Sequence, residues 1–337
     1  MKVVVKKAAR RGKGKGGVEV TLATLDLDKD KATLGTLKQT FAKTTKNKYA
    51  VTRQEWRVLP EQQQEDGGKK KGGKGVLKLK GDEALLVELL ADLGVQVKGN
   101  QDVCLYFKDL GPQIEYSTVF FWEYFGPLVI YPLFFLYPKY FYADGGEKGE
   151  NQDQHALAQK VACAYWVFHY AKRIFETFFV HTFSHATMPI RNLVKNCSYY
   201  WGFSALVSYF INHPKYTAVS ESVVYPAFAC AMACQLANFY CHVLLTRLRA
   251  NGEKGYKIPR GVLFEYITCP NYTAEILGWF FFNVGTRSLM GYLFMCAGAY
   301  QMLLWALAKH KRLKKLFDGK EGRMKYPKRY VMLPPLV

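Results

Sequence analysis

The residues best placed to do chemistry lie between Arg249 and Glu275, where the chain reads R-A-N-G-E-K-G-Y-K-I-P-R-G-V-L-F-E-Y-I-T-C-P-N-Y-T-A-E before the apolar run I-L-G-W-F-F-F. Asn271, Tyr272 and Glu275 stand beside the helix-breaking Pro270 at the mouth of a membrane-like segment. Amide and ionisable groups at membrane depth are costly and face a bundle interior or a water-filled cavity. Broken backbone at that depth is likewise tolerated only where protein or a cavity covers it. The pattern therefore predicts a polar pocket for a cofactor or substrate.

The elements that must position such a pocket are apolar segments at 118–142, 157–180, 198–211, 223–245, 262–284 and 288–308. Most approach the roughly 20 residues needed to cross a bilayer; 198–211 is short, so a tilted or re-entrant segment is also open. The loops at 181–197 and 246–260 and the C-terminal tail are basic, whereas 143–154 carries Asp144, Glu147, Glu150 and Asp153. The positive-inside rule then gives six crossings with both termini cytosolic. Met1–Arg11 has charge but no apolar core, so no signal peptide is expected and the first crossing serves as the insertion signal. In this topology Gln113, Lys172, Arg173, Glu176, Arg191, Asn192, Asn238, His242, Arg249, Lys257, Asn271, Tyr272 and Glu275 converge on the cytosolic side.

The 337 residues allow two domains, and the mean hydropathy of −0.11 averages two unlike halves. The first part, before about residue 109, reads as a small α+β domain. Strands are expected at Lys2–Lys7, 18–24, 56–59 and 102–107. A helix at 33–46 carries Leu34, Leu37 and Phe41 on one face. The Gln-, Gly- and Lys-rich stretch 61–75 reads as a disordered insert.

Composition excludes other classes. The net charge of +20 includes one basic cluster at Lys69–Lys74 and another after the last apolar segment at Lys309–Lys315, and juxtamembrane Lys/Arg needs no nucleic-acid ligand. Nucleic-acid binding is not expected. Eight cysteines without a C-x-x-C pair, mostly inside apolar segments, argue against disulfides or a zinc ribbon. His181 and His185 have i, i+4 spacing, but no acid or cysteine adjoins them and no H-E-x-x-H exists, so no metal is expected.

Several strings carry a resemblance. They are K-D-L-G-P-Q at Lys108–Gln113, E-Y-F-G-P-L at Glu123–Leu128, H-Y-A-K-R at His169–Arg173 and F-V-H-T-F-S-H-A-T-M-P at Phe179–Pro189. R-N-L-V-K-N at Arg191–Asn196, Y-Y-W-G-F at Tyr199–Phe203, I-N-H-P at Ile211–Pro214 and C-P-N-Y at Cys269–Tyr272 follow in order. Over roughly residues 108–309 the chain resembles the steroid 5-alpha-reductase family, in its very-long-chain trans-2-enoyl-CoA reductase branch. The front region resembles that branch only in layout, that of a ubiquitin-like domain.

The resemblance implies a multi-pass α-helical membrane bundle at 109–337 behind a ubiquitin-like cytosolic domain at 1–108. It implies NADPH-dependent reduction of a trans-2-enoyl-CoA in the endoplasmic reticulum membrane, beside other fatty-acid elongase components. Tyr272 is its first proton or hydrogen-bond donor, supported by Lys172. Tyr170 and Gln113 fall at the substrate carbonyl, although Ile114 follows Gln113 where the family has an acid. Asn238, Arg249, Lys257, Asn271, Glu275 and Arg173 fall at cofactor-binding positions. No G-x-G-x-x-G exists, so the site is not a Rossmann site. Leu313 stands where the family has a tyrosine near the cofactor. A steroid or polyprenol reductase, or a non-catalytic membrane adaptor, are the alternatives; buried polar groups at Tyr272 and Glu275 separate an enzyme from an adaptor.

Overall fold

The computed structural model describes residues 1–7, 20–58, 77–95, 97, 102–142, 155–183, 186–248, 256–320 and 322–336. The insert at 61–75, Arg249 and His185 lie outside them. The chain divides into two compact units: Met1–Ile114 with Thr187–Ile190, and Glu115–Ala186 with Arg191–Val337.

The first unit is built on β1 (Lys2–Lys7), β2 (Val20–Asp26), α1 (Leu34–Thr44), β3 (Gln54–Val58), β4 (Leu77–Lys78), α2 (Leu86–Asp92) and β5 (Val103–Asp109). The five strands form one mixed sheet in the order β2-β1-β5-β3-β4, with β1 and β5 parallel and the remaining pairs antiparallel. Alternation sends Val3, Val5, Trp56, Val103, Leu105 and Phe107 to the face that α1 covers with Leu34, Leu37 and Phe41. The Thr33 hydroxyl caps α1 by accepting from Thr36 N–H at 3.1 Å. Strands β1, β2, β3 and β5 and helix α1 agree with the sequence pattern to within a few residues, whereas the two-residue strand β4 was not foreseen. The second helix, α2, was not foreseen, although Leu86 and Leu90 sit one turn apart and are fully buried. Two short strands, β6 (Gln113–Glu115) and β7 (Thr187–Pro189), pair separately.

The second unit is helical: α3 (Tyr116–Leu136), α4 (Leu157–Phe175), α5 (Arg191–Ile211), α6 (Glu221–Arg247), α7 (Pro270–Thr286) and α8 (Leu289–Leu316). Three of these, α3, α6 and α8, are long and apolar enough to cross a membrane. Their outer faces suit lipid: Trp122, Phe125, Val129, Leu133 and Leu136 form an exposed stripe at helical spacing on α3. This region is a helical membrane domain.

Inside, aromatic rings from α3, α4, α5, α7 and α8 pack into one cluster around Trp166, with Tyr131 at 4.8 Å and Trp279 at 5.2 Å between ring centroids. Helix α3 approaches α5 so closely that a Cβ on Gly126 would overlap the Trp201 indole. That indole donates to the Trp122 carbonyl at 2.9 Å, next to the turn that Pro127 loosens.

Two boundaries correct the sequence reading. Helix α5 begins at Arg191, not Ser198, so part of the expected basic loop is helical. Its polar first turns are stabilised because Asn196 faces α3 and donates to buried Glu123 at 2.7 Å. The segment expected at 262–284 starts as a 3-10 turn at Val262–Glu265, and α7 itself begins at Pro270. Proline suits the first helical position because its missing N–H would be unpaired there anyway.

Candidate active site

One end of the helical unit gathers polar side chains from three helices. The C-terminal end of α4 presents Lys172 and Arg173, and a π-helical turn at Glu176–Val180 continues it. Such turns often mark functional sites because they re-aim the side chains that follow. Helix α6 brings Gln235, Asn238 and His242 at i, i+3 and i+7, all buried. Helix α7 brings Asn271 and Glu275, one turn apart.

Asn238 joins the three. Its Oδ1 accepts from Lys172 Nζ at 2.7 Å, and its Nδ2 donates to the Asn271 carbonyl at 2.9 Å. The Glu176 carboxylate is fully buried, a demanding position for a charge unless partners surround it. They do: Arg173 Nη1 donates to Oε2 at 2.7 Å, while Lys172 Nζ and His242 Nδ1 lie 3.5 and 3.0 Å from Oε1. Arg173 also donates from Nη2 to the Tyr124 hydroxyl at 2.9 Å. Glu275 accepts from Trp279 Nε1 at 3.0 Å and faces His169 Nε2 at 3.5 Å. His169 is held in turn by Gln235, whose amide nitrogen is 2.8 Å from Nδ1 and 2.7 Å from the Tyr165 hydroxyl.

The sequence-predicted residues thus fall into groups. Lys172, Arg173, Asn238 and Asn271 are joined by hydrogen bonds and ion pairs, while Glu275 belongs to the neighbouring group with His169 and Trp279. Tyr170 is fully buried beside it, with ring centroids 4.8 Å from His169 and 6.3 Å from Trp279, and its hydroxyl has no partner among the described residues. Tyr272 points to another side of α7. It packs with Cys269, Ile276, Ala306 and Met332, its ring 6.5 Å from Trp305 of α8. Gln113 lies in β6 of the first unit, donating to the Leu110 and Gly111 carbonyls at 3.1 and 3.2 Å. Lys257 is exposed in the coil before the 3-10 turn, and Arg249 is outside the described residues.

Sequence reasoning overlooked His169, Gln235 and Tyr124. A polar group at every third or fourth position of an apolar helix was the available signal: His169, Lys172 and Arg173 on α4 with Glu176 in the π-helical turn that continues it, and Gln235, Asn238 and His242 on α6. It also dismissed a metal because no acid adjoined His181. The fold supplies one: Glu176, His181 and His242 bring ligand atoms within 4.8 Å of one another. Lys172 and Arg173 engage the same carboxylate, however, and a divalent ion would have to stand against both charges.

The extended C-terminal segment fixes the break before α7. Thr268 N–H donates to the Tyr330 carbonyl at 2.9 Å, and Cys269 N–H to that of Val331 at 3.1 Å. Arg329, its side chain fully buried, donates to the Pro259 carbonyl at 2.9 Å and faces Glu265 at 3.5 Å. Broken backbone near membrane depth is thereby covered by protein. At the residue-313 departure, buried Leu313 packs with Ile258 and Tyr326, so a tyrosine ring reaches this place from further along the chain.

Residues 186–337 match the family described as 3-oxo-5-alpha-steroid 4-dehydrogenase. The chain is 48% identical over 237 residues to the very-long-chain enoyl-CoA reductase of Dictyostelium discoideum, covering 70% of this chain and 75% of the relative. It is 44% identical over 256 residues to a probable very-long-chain enoyl-CoA reductase of Caenorhabditis elegans, 74% of this chain and 79% of the relative. The chain belongs to the very-long-chain enoyl-CoA reductase family. A putative enoyl-CoA reductase of Trypanosoma brucei is 40% identical over 235 residues, 69% of this chain and 77% of the relative. The matched lengths in the first two relatives exceed two thirds of either protein, so the likeness to these enoyl-CoA reductases is not confined to a single motif.

Proposed function

We propose that the protein reduces a trans-2-enoyl-CoA to the saturated acyl-CoA with NADPH, as the last step of very-long-chain fatty-acid elongation. The observation that carries this reading is the linked set Lys172, Asn238, Asn271 and Glu176, with Glu275 and His169 paired beside it: a largely buried polar cluster inside an otherwise apolar and aromatic bundle. A non-catalytic adaptor has no use for it.

The residues fit a dinucleotide. Asn271 Oδ1 is buried with no partner among the described residues, an acceptor suited to a carboxamide or hydroxyl donor. Lys172 and Arg173 supply buried positive charge, and Lys257 and Arg249 are in sequence reach for phosphates. We assign Asn238, Asn271, Glu275, Arg173, Arg249 and Lys257 to cofactor binding. NADPH supplies the hydride delivered to the substrate β-carbon. As that happens, negative charge grows on the thioester oxygen, and a hydrogen-bond donor aimed there lowers the barrier. We assign that donor to Tyr272, with Lys172 in support and Tyr170 and Gln113 at the substrate carbonyl. The α-carbon then takes a proton to complete the saturated product.

The reading extends to placement. The membrane domain, taken as 109–337, would cross the endoplasmic reticulum membrane six times, α4, α5 and α7 joining the three long apolar helices. Both termini would be cytosolic, near NADPH, acyl-CoA and the other elongase components. The front domain, taken as 1–108, is ubiquitin-like; its β2-β1-β5-β3-β4 order, with parallel central strands, supports this.

The test is direct. Purified full-length protein should oxidise NADPH on addition of a long-chain trans-2-enoyl-CoA, with saturated acyl-CoA as the product by mass spectrometry. Absence of turnover with enoyl-CoA, alongside turnover of a steroid enone, would overturn the substrate assignment.

A further inference from the structure

At the other end of α7 the structure presents a second feature with a different chemistry. Arg287 ends the helix in the left-handed conformation, φ +49° and ψ +32°, its N–H donating to the Asn283 carbonyl at 2.7 Å. Helices that end this way usually place glycine there, because a Cβ is strained in that region. A long cationic side chain is an unexpected occupant, and departures of this kind often accompany function.

The arginine borders a cleft. A cavity of about 220 Å³ lies between the end of α5, the turn before α6 and the α7–α8 junction, lined by Phe210, Ile211, Tyr216, Arg287, Leu289 and Met290. One wall is fixed by the Tyr216 hydroxyl, which donates to the Thr286 carbonyl at 2.9 Å. Phe210 and Leu289 are 48% and 68% exposed, so the apolar lining continues onto the outer surface of the bundle. No carboxylate pairs with Arg287 among the described residues.

Position identifies the complement. From Asn271 to Arg287 the helix rises about 24 Å, at ~1.5 Å per residue. A bilayer's hydrocarbon core is roughly 30 Å thick. On the proposed topology, in which α7 crosses the bilayer with Asn271 near one interface, Arg287 is near the other, at headgroup level. An exposed guanidinium above an open apolar cleft at that level matches a phosphodiester with acyl chains below it. We propose that this cleft is a binding site for one glycerophospholipid, its phosphodiester paired to Arg287 and an acyl chain lying along Phe210 and Leu289. The occupant is the lipid rather than a free phosphate, because only the lipid uses the apolar lining as well as the charge.

Full-length protein in dodecyl maltoside would be melted alone and with phosphatidylcholine, diacylglycerol of the same chains, glycerophosphocholine or inorganic phosphate. Phosphatidylcholine should raise the melting temperature, and the other three should not match it. Arg287→Gly gives the decisive arm, because glycine relieves the backbone strain while removing the cation. It should raise the melting temperature without lipid by about 2–4 °C and abolish the added increment from phosphatidylcholine. Native mass spectrometry should show one fewer retained phospholipid than in the unsubstituted protein. The proposal is overturned if Arg287→Gly keeps the full lipid increment and the same retained lipid. It is equally overturned if diacylglycerol, glycerophosphocholine or phosphate stabilises as strongly as phosphatidylcholine.

Discussion

The interiors of the two units obey different rules. In the first, Gln54 is the buried polar residue among those described, and its needs are met close by. Its amide nitrogen donates to the Lys38 and Tyr49 carbonyls at 2.9 and 2.8 Å, and its oxygen accepts from Trp56 Nε1 at 3.0 Å. Among the described residues the rest of that core is apolar. The helical unit buries Glu123, His169, Glu176, Gln235, Asn238, His242, Asn271 and Asn283, and leaves atoms such as Asn271 Oδ1 and the Tyr170 hydroxyl without partners among the described residues. A core made for stability satisfies its polar atoms, because an orphaned one costs about 1–3 kcal/mol. A core made for binding keeps some of them for a ligand.

The largest expected effect tests the scaffold side. Phe41→Ala removes a fully buried ring that contacts Trp56 and Phe107. It should destabilise the first unit by about 3–5 kcal/mol, seen as lost amide protection in β3 and β5. NADPH affinity of the membrane domain should be unchanged; a matching loss would show that the front core supports the site.

Next comes the chemistry. Tyr272→Phe should lower turnover by about 2.7–4 kcal/mol, a hundred- to thousandfold, with NADPH affinity nearly intact. Because the Tyr272 ring packs toward α8, Tyr170→Phe belongs in the same assay. Normal turnover in the first and collapse in the second would move the donor to Tyr170.

Asn271→Ala should act mainly on the cofactor, weakening NADPH binding by about 1–3 kcal/mol, measurable by titration of cofactor fluorescence. If affinity held while melting temperature fell, Asn271 would belong with the scaffold residues.

The smallest effect is electrostatic and confined to the first unit. Hydrogen bonds from Arg53 at 2.7 and 3.1 Å hold the Asp109 carboxyl below its usual range, partly opposed by desolvation. A depressed carboxyl contributes stability above its unfolded pKa and loses it as pH falls through the folded value. The pair is largely exposed and screened by solvent, so its increment should be the smallest of these effects. Arg53→Met should flatten the acid limb of β5 amide protection; an unchanged acid limb would assign it to other carboxylates.

Much of this was legible in the sequence, and the parts that were not have identifiable causes. Periodicity marked β1, β2, β3, β5, α1 and the apolar helices, because alternation and helical spacing are local properties of the chain; the two residues of β4 are too few to show alternation. It missed α2, whose seven residues offer only two core positions, and it started α5 seven residues late. Polar residues in the first turns of α5 looked like loop until Glu123 of α3 was there to receive Asn196. The polar residues of α4, α6 and α7 were likewise readable one helix at a time, as groups that a membrane interior tolerates only in company.

What the linear order could not contain was who keeps company with whom. Glu176 and His242 are 66 residues apart in sequence, yet their side chains meet at 3.0 Å. Tyr272 and Asn271 are neighbours in sequence, yet one turns to α8 and the other to α6, since successive residues on a helix point about 100° apart. Composition and spacing determined the membrane class and the list of polar residues, and the motif strings between Lys108 and Tyr272 carried the family resemblance. Which of them share a site was decided by helix packing, because burial and pairing in a low-dielectric interior depend on partners brought from distant segments.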